Sequence, residues 1–308
     1  MRLVADNLAG DRGGEPVFDG LSFALSDGEC LIVTGENGSG KSTLLRIVAG
    51  LLPASGGSVT LEGGGEEWPD VMSACHHLGD RNAMKPALTV AENLKFRQEF
   101  LGRPFLSAEE ALEEVALPSV ASLPFGYLST GQRRRVAIAG LLVAFRPVWL
   151  LDEPTAGLDP EAAVDLIEYL KQMIRGLHTT VIICTHQLHG LEALCDDVGI
   201  LVSGRLVVAG DVQQLLRHRW PRRDYAITVD GDRGLAAQLI ATTLGEPATP
   251  ADGPAGDGHL DVSVDDEDAI SSVVEALVRN GLRVRAVVPQ RPTLHDLYFA
   301  AVNDRDAS

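Results

Sequence analysis

The chain is short of positive charge. Its 308 residues hold 26 lysines and arginines against 43 aspartates and glutamates, a formal net charge of −17. A nucleic-acid surface needs a broad basic face, so that class of partner is excluded. Long apolar runs are missing as well: the longest, such as VAIAGLLVAF (136–145), are too short to span a bilayer. The first residues, MRLVADNLAG, lack the basic-then-apolar layout of a secretory leader, and none is expected. Cysteine is scarce. Cys30, Cys75, Cys184 and Cys195 form no C-x-x-C pair, suit a reducing cytoplasm and read as small core residues rather than ligands. What remains is a soluble chain too long for one typical core, so two domains are expected.

Glycine, by contrast, is concentrated where it matters. The apolar run CLIVT (30–34) reads as a buried strand and is followed by GENGSGKST (35–43) and then by STLLRIVAGLL (42–52), read as a helix. A flexible loop closed by one lysine between a strand and a helix suits a polyphosphate. Backbone N–H groups can turn inward and the helix N-terminus adds partial positive charge. The candidate nucleotide-binding residues are Gly35, Glu36, Asn37, Gly38, Ser39, Gly40, Lys41, Ser42 and Thr43. Within them Lys41 would neutralise the β- and γ-phosphates, and the Ser42 hydroxyl would serve Mg²⁺. The bland alternative, a glycine-rich turn, does not account for the lysine-serine pair at this spacing.

A second chemical stretch is VWLLDEPTAGLD (148–159). Four apolar residues ending in Asp-Glu describe a buried strand that delivers two carboxylates to its C-terminal edge, where open α/β sheets bind ligands. Asp152 would hold Mg²⁺ through its water shell, and Glu153 would polarise an attacking water as general base. A third stretch, YLSTGQRRRVAIAGLLVAF (127–145), puts Leu128, Ser129, Thr130, Gly131 and Gln132 directly before an apolar helix. Ser129 is an expected N-cap and Gly131 lets backbone amides approach an anion, so this is a second phosphate-binding candidate. The run Arg133–Arg135 is expected to solvate a helix face. His76, His77 and His189 carry no motif and are read as core histidines.

In order and spacing, over residues 1 to about 215, these stretches resemble the ATP-binding cassette (ABC) ATPases. Residues 35–42 match the Walker A motif and 148–153 the Walker B motif. LSTGQ matches the signature, with Thr130 where glycine is commoner. AGLD, ending at Asp159, matches the D-loop, and His186 in VIICTHQ matches the switch histidine. The resemblance implies an α/β fold: a P-loop, RecA-like core with an antiparallel β edge region and a helical subdomain around 86–145. It implies ATP and Mg²⁺ as ligands, and two copies stacked head to tail. Each ATP would then lie between Lys41 of one copy and Ser129, Gly131 and Gln132 of the other, with His186 sensing the γ-phosphate. It implies an integral membrane permease as partner, with the transported small molecule reaching the system only through that permease. The chain would sit in the cytoplasm, peripheral on the inner face of the membrane.

Two positions depart from the family pattern. In HHLGDRNAMKPALTVAENL (76–94) the residue aligned with a Mg²⁺-contacting glutamine is Asp80, and where an adenine-stacking aromatic is usual, GDRGGEPVF offers Arg12. A carboxylate can coordinate Mg²⁺ and a guanidinium plane can stack on a base. A narrower resemblance runs through RGGEPVFDGLSF, LGDRNAMKPALTVAENL and LSTGQRRRVAIAGLLVAFRPVWLLDEP, which are similar to the ATP-binding subunit of the haem exporter of cytochrome c maturation. Drug or lipid exporter ATPases of the ABC-2 type are the alternative, and a soluble regulatory ABC ATPase is the rival outside transport.

The cassette is expected over 1–216, completed by ILVSGRLVVAGDVQQLL, followed by a basic linker RHRWPRRD (217–224). A small α/β domain is expected over 225–304, with strands YAITVD, HLDVSV and LRVRAVV and helices RGLAAQLIATTL and DEDAISSVVEALVRN. GEPATPADGPAGDG between them has no core patterning. PTLHDLYFAAV resembles the closing helix of ABC-2-type exporter ATPases. Residues 220–308 carry fifteen acidic and eight basic residues and no catalytic constellation. Their expected role is dimer contact or regulation.

Overall fold

Strand β3 (Cys30–Gly35) is buried at every position, as an apolar run flanked by turns requires of a central strand. A computed structural model describes residues 1–79, 83–188, 190–251 and 259–306. The strands joining β3 are β1 (Arg2–Arg12), β2 (Glu15–Ser26), β4 (Gly56–Glu62), β5 (Cys75–Leu78), β6 (Val148–Asp152), β7 (Thr180–Thr185), β8 (Asp197–Val202) and β9 (Arg205–Asp211). Their order is β4-β1-β2-β9-β8-β3-β7-β6-β5. From β8 to β5 the pairs are parallel, with Val33 beside Cys184 and Asp152 beside Cys184 on its other side. At the other end β4, β1 and β2 pair antiparallel. The expected α/β core with an antiparallel edge is what forms.

This register brings the C-terminal ends of β3, β6 and β7 together, so the two motif strands open onto one sheet edge. Helix α1 (Lys41–Val48) lies against the sheet, with Leu44, Leu45 and Val48 in one core cluster with Leu31, Leu150 and Ile182. The sequence predicted a helix to residue 52. It stops four residues earlier because Gly50 adopts φ 72° and the Leu51 N–H turns back to the Arg46 carbonyl, a left-handed stop that leaves Leu51 exposed.

After the short α2 (Val71–Ala74), helices α3 (Val90–Leu101), α4 (Ala108–Glu114) and α5 (Thr130–Leu142) make up the helical region expected around 86–145. Thr89 with Glu92, Ser107 with Glu110 and Ser129 with Gln132 each form a reciprocal capping box, which is why α3, α4 and α5 begin where they do. Helix α6 (Pro160–Leu177), with proline at its start and Asp159 as N-cap, follows β6 and buries Leu166, Ile167, Leu170 and Ile174.

The chain divides into two compact units, Met1–Val212 with the end of the chain from Tyr298, and Gln213–Leu297. The predicted linker 217–224 is corrected here. Helix α7 (Val212–Arg219) takes up its first residues and β10 (Arg223–Asp230) its last, because RHR continues a helix and Pro221 ends it. Within the second unit β11 (Thr249–Ala251), β12 (His259–Val264), β10 and β13 (Arg283–Gln290) form an antiparallel sheet in the order β11-β12-β10-β13. Helices α8 (Arg233–Leu244) and α9 (Glu267–Arg279) pack on it through Ala236, Ile240, Val273 and Leu277 against Ile227, Leu260 and Val262. The glycine- and proline-rich loop thus contains one short strand that no periodicity announced. Helix α10 (Leu294–Asp306) closes the chain.

Candidate active site

The glycine-rich loop after β3 is braced by a lysine. Lys41, 6% exposed, donates from Nζ to the carbonyls of Gly35 at 2.7 Å and Glu36 at 2.9 Å. A buried ammonium resting on loop carbonyls keeps the loop arched around the place a polyphosphate would fill. Gly35 must be glycine: a Cβ there would stand 2.1 Å from the Leu201 carbonyl oxygen. The Ser39 hydroxyl is buried in the same loop with no hydrogen-bond partner among the described residues, a polar atom awaiting one. Gly40 caps α1 with no side chain, so the first N–H groups of the helix face the loop.

Asp152 ends β6 buried, and the Ser42 hydroxyl stands at the first turn of α1. A hydroxyl and a carboxylate are hard oxygen donors of the kind Mg²⁺ takes, so the residues present fit that ion. Cys184 joins the two strands to the loop, its thiol donating to the Lys41 carbonyl at 3.5 Å. Burial is the main cause that pushes this thiol well above the usual range.

Glu153 is the most constrained side chain of the site. Its backbone adopts φ 45°, uncommon for a residue with a Cβ and worth about 1–3 kcal/mol of strain. Its Oε1 accepts from the His186 backbone N–H at 3.1 Å and lies 2.7 Å from His186 Nδ1. Its Oε2 accepts from the Thr185 hydroxyl at 2.9 Å. A carboxylate oxygen accepts, so the 2.7 Å contact is made when the His186 hydrogen sits on Nδ1. Thr185, fully buried at the end of β7, also accepts from the Gln187 backbone N–H. Sequence reasoning passed over Thr185. The available signal was a hydroxyl ending an otherwise apolar strand, which needs a partner.

The signature segment adjoins the D-loop. Ser129 and Gln132 exchange hydrogen bonds at 3.2 and 3.0 Å, and Leu128 is buried beneath them. A Cβ on Gly131 would meet Leu158 at 3.5 Å, and one on Gly157 would meet the Thr130 methyl at 3.0 Å. Asp159 accepts from the Ala162 N–H at 2.9 Å. Arg12 lies exposed at the turn between β1 and β2, while Val17 of β2 is the residue that crowds Gly40. Asp80 lies outside the described residues, as does His189.

The reading of Arg133–Arg135 as a solvated face is corrected at its centre. Arg134 is 5% exposed and, among the described residues, donates to four backbone carbonyls: Pro154 from Nε at 2.9 Å, Gly79 from Nη1 at 3.0 Å, and Asp152 and Glu153 from Nη2 at 2.6 and 2.8 Å. Arg133 donates to the Gly126 carbonyl at 2.6 Å. A run of three arginines hides this, since helical spacing points the middle one inward while its neighbours stay half-exposed. His76 is a core histidine as expected, its Nε2–H donating to the Ala144 carbonyl at 2.7 Å. No helix among the described residues is long and apolar enough to cross a membrane.

A family profile described as ABC transporter matches residues 18–156. The cytochrome c biogenesis ATP-binding export protein CcmA of Chelativorans sp. (strain BNC1) is 58% identical over 192 residues, covering 62% of this chain and 95% of that protein. Among solved structures, cbiO1 of Clostridium perfringens, part of the ABC transporter complex cbiONQ, superposes with a TM-score of 0.59 at 28% identity, over 70% of this chain and 91% of that one. The dimeric ATP-binding cassette MJ0796 bound to ADP and Pi gives a TM-score of 0.60 at 24% identity over 68% and 98%, a likeness of fold.

Proposed function

The chain belongs to the ABC transporter ATPases, and on that premise we propose that its two half-sites are completed by a second copy and drive export for cytochrome c biogenesis. As a member of the family it is an ATP-hydrolysing cassette that powers a membrane permease. The observation that carries the residue assignment is Glu153, fixed by His186 and Thr185 beside a loop whose buried lysine rests on carbonyls. Lys41, Ser39 and the N–H groups of 36–43 bind the β- and γ-phosphates. Ser42 and Asp152 would hold Mg²⁺, which would supply positive charge at the terminal phosphate. Glu153 accepts the proton of the attacking water. His186 leaves Glu153 Oε1 to donate its ring N–H to the γ-phosphate and returns when that phosphate departs. Residues 128–132 of one copy close over the nucleotide of the other, and Arg12 stacks on the base.

The export reading follows the similarity to the CcmA protein of Chelativorans sp. over 95% of that protein. Haem is the proposed cargo, moved by a separate permease, with this subunit cytoplasmic and peripheral on the membrane's inner face. The second compact unit regulates the cassettes or joins them. Deleting the gene and staining c-type cytochromes for covalent haem tests the cargo. Loss of staining, restored by the parent chain and not by Lys41→Ala, supports it. Normal staining in the deletion overturns it while leaving ATP hydrolysis untouched.

A further inference from the structure

Arg134 belongs to the signature helix but spends its donors elsewhere. Five residues before it stands Ser129, the N-cap of α5 and the edge of the loop assigned to the partner's nucleotide. Its guanidinium, however, gathers three successive peptide oxygens, those of Asp152, Glu153 and Pro154, together with that of Gly79. The first three form the turn that carries the Mg²⁺ carboxylate and the base of the chain's own site, and Gly79 leads into residues 80–82. Only a planar cation with five fixed N–H groups can serve four carbonyls arranged this way; a lysine offers three donors from one point.

The turn it serves is also the strained one. Glu153 holds a left-handed backbone, and its carbonyl is one of the oxygens turned onto the guanidinium. The carboxylate at the other end of that residue is gripped by His186 and Thr185. The orientation of the base is therefore set from two sides, by the switch segment at the side chain and by Arg134 at the backbone.

We propose that Arg134 is a positioning residue that couples the two ATP sites of the dimer. It locks the base-bearing turn of one site to the helix whose N-terminus completes the other. The inference rests on the two-copy site proposed above. When a partner's nucleotide draws residues 128–132 toward it, α5 moves as a rigid element, and the guanidinium carries that movement to the carbonyls of Asp152 and Glu153. Each site then reaches its hydrolytic geometry only when the other is filled, so hydrolysis depends on ATP concentration with a Hill slope above 1.

The test compares the full chain with Arg134→Met and Arg134→Lys. Measurements are the Kd of a fluorescent ATP analogue with Mg²⁺, steady-state hydrolysis across ATP concentrations, and thermal melting. The expected result is a Kd within threefold of the parent, a kcat at least tenfold lower, and a Hill slope falling toward 1. Arg134→Lys should recover part of kcat and less of the slope. Should Arg134→Met fail to fold, Arg134→Lys decides. A folded variant with kcat within twofold and an unchanged slope overturns the proposal. So does a loss of Kd and kcat in equal proportion that tracks melting temperature, which would make the residue structural only. A parent chain that hydrolyses ATP with a Hill slope of 1 also overturns the coupling while sparing the ATPase assignment. A parent that neither hydrolyses ATP nor forms ATP-dependent dimers fails at the earlier reading, and the inference falls with it.

Discussion

At the scale of the residue, Thr185 tests how the base is held. Its hydroxyl donates to Glu153 Oε2 and its oxygen is in turn bonded by the Gln187 N–H. Thr185→Val keeps the shape of a fully buried side chain and deletes both links. Turnover should fall roughly ten- to hundredfold, the loss expected when a catalytic group is displaced by a fraction of an ångström. Thr185→Ser should restore most of it; near-parent turnover in Thr185→Val would remove the residue from the mechanism. His76 makes a different prediction. Burial first, and the Arg97 guanidinium second, push this imidazole down to about 3. The folded state therefore binds fewer protons than the unfolded chain between that value and the ordinary 6.5. Stability from this group is complete above pH 6.5 and is lost as pH falls, by up to about 1.4 kcal/mol per unit. His76→Gln should flatten the difference in denaturation midpoint between pH 7 and pH 5, and an unaltered difference would contradict the burial argument. Residues of this kind divide sharply in legibility. Lys41, Asp152, Glu153 and His186 stand in spacings that chemistry demands, and were legible in the sequence. Arg134 and Thr185 act through backbone atoms and a neighbouring side chain brought together by the fold, which no spacing encodes.

At the scale of the element, the N-terminus of α5 has two duties, capping a helix and meeting an anion. Ser129→Asp separates them. Aspartate caps as well as serine and suits the helix dipole, so melting should stay within about 0.5 kcal/mol of the parent. The same carboxylate would repel a partner's triphosphate, and hydrolysis should drop at least tenfold. Full activity in Ser129→Asp, read by phosphate release, would mean that this loop never meets a phosphate. Elements bounded by strong local signals were legible: β3 and β6 as apolar runs, and the start of α5 through its Ser129 cap. The end of α1, the helical start of the supposed linker and strand β11 were not. The first is set by a left-handed glycine within an apolar run, the second by a basic stretch that continues a helix, and the third by pairing with β12 across a loop.

At the scale of the whole molecule, the question is what the cassette needs from the rest of the chain. The core of the first unit is built from residues between Leu3 and Leu201. A chain ending at Arg219 should therefore fold and bind Mg-ATP. It loses Tyr298, whose phenol is pushed up by burial and by the Glu36 carboxylate of the phosphate loop. A shift of several-fold in nucleotide affinity is accordingly expected, measured by titration beside the full chain. A soluble, folded truncation that binds no nucleotide would place the active site partly beyond residue 219. The central claim is that Glu153 is the base of a site completed by a second copy. The measurement that reaches it most directly is Glu153→Gln with saturating Mg-ATP, followed for phosphate release and for mass in the same sample. Loss of the base should cut turnover by about two to four orders of magnitude while ATP still binds, and the trapped nucleotide should convert monomer to dimer. Hydrolysis near the parent rate, with the chain monomeric at every ATP concentration, would contradict both halves of the claim.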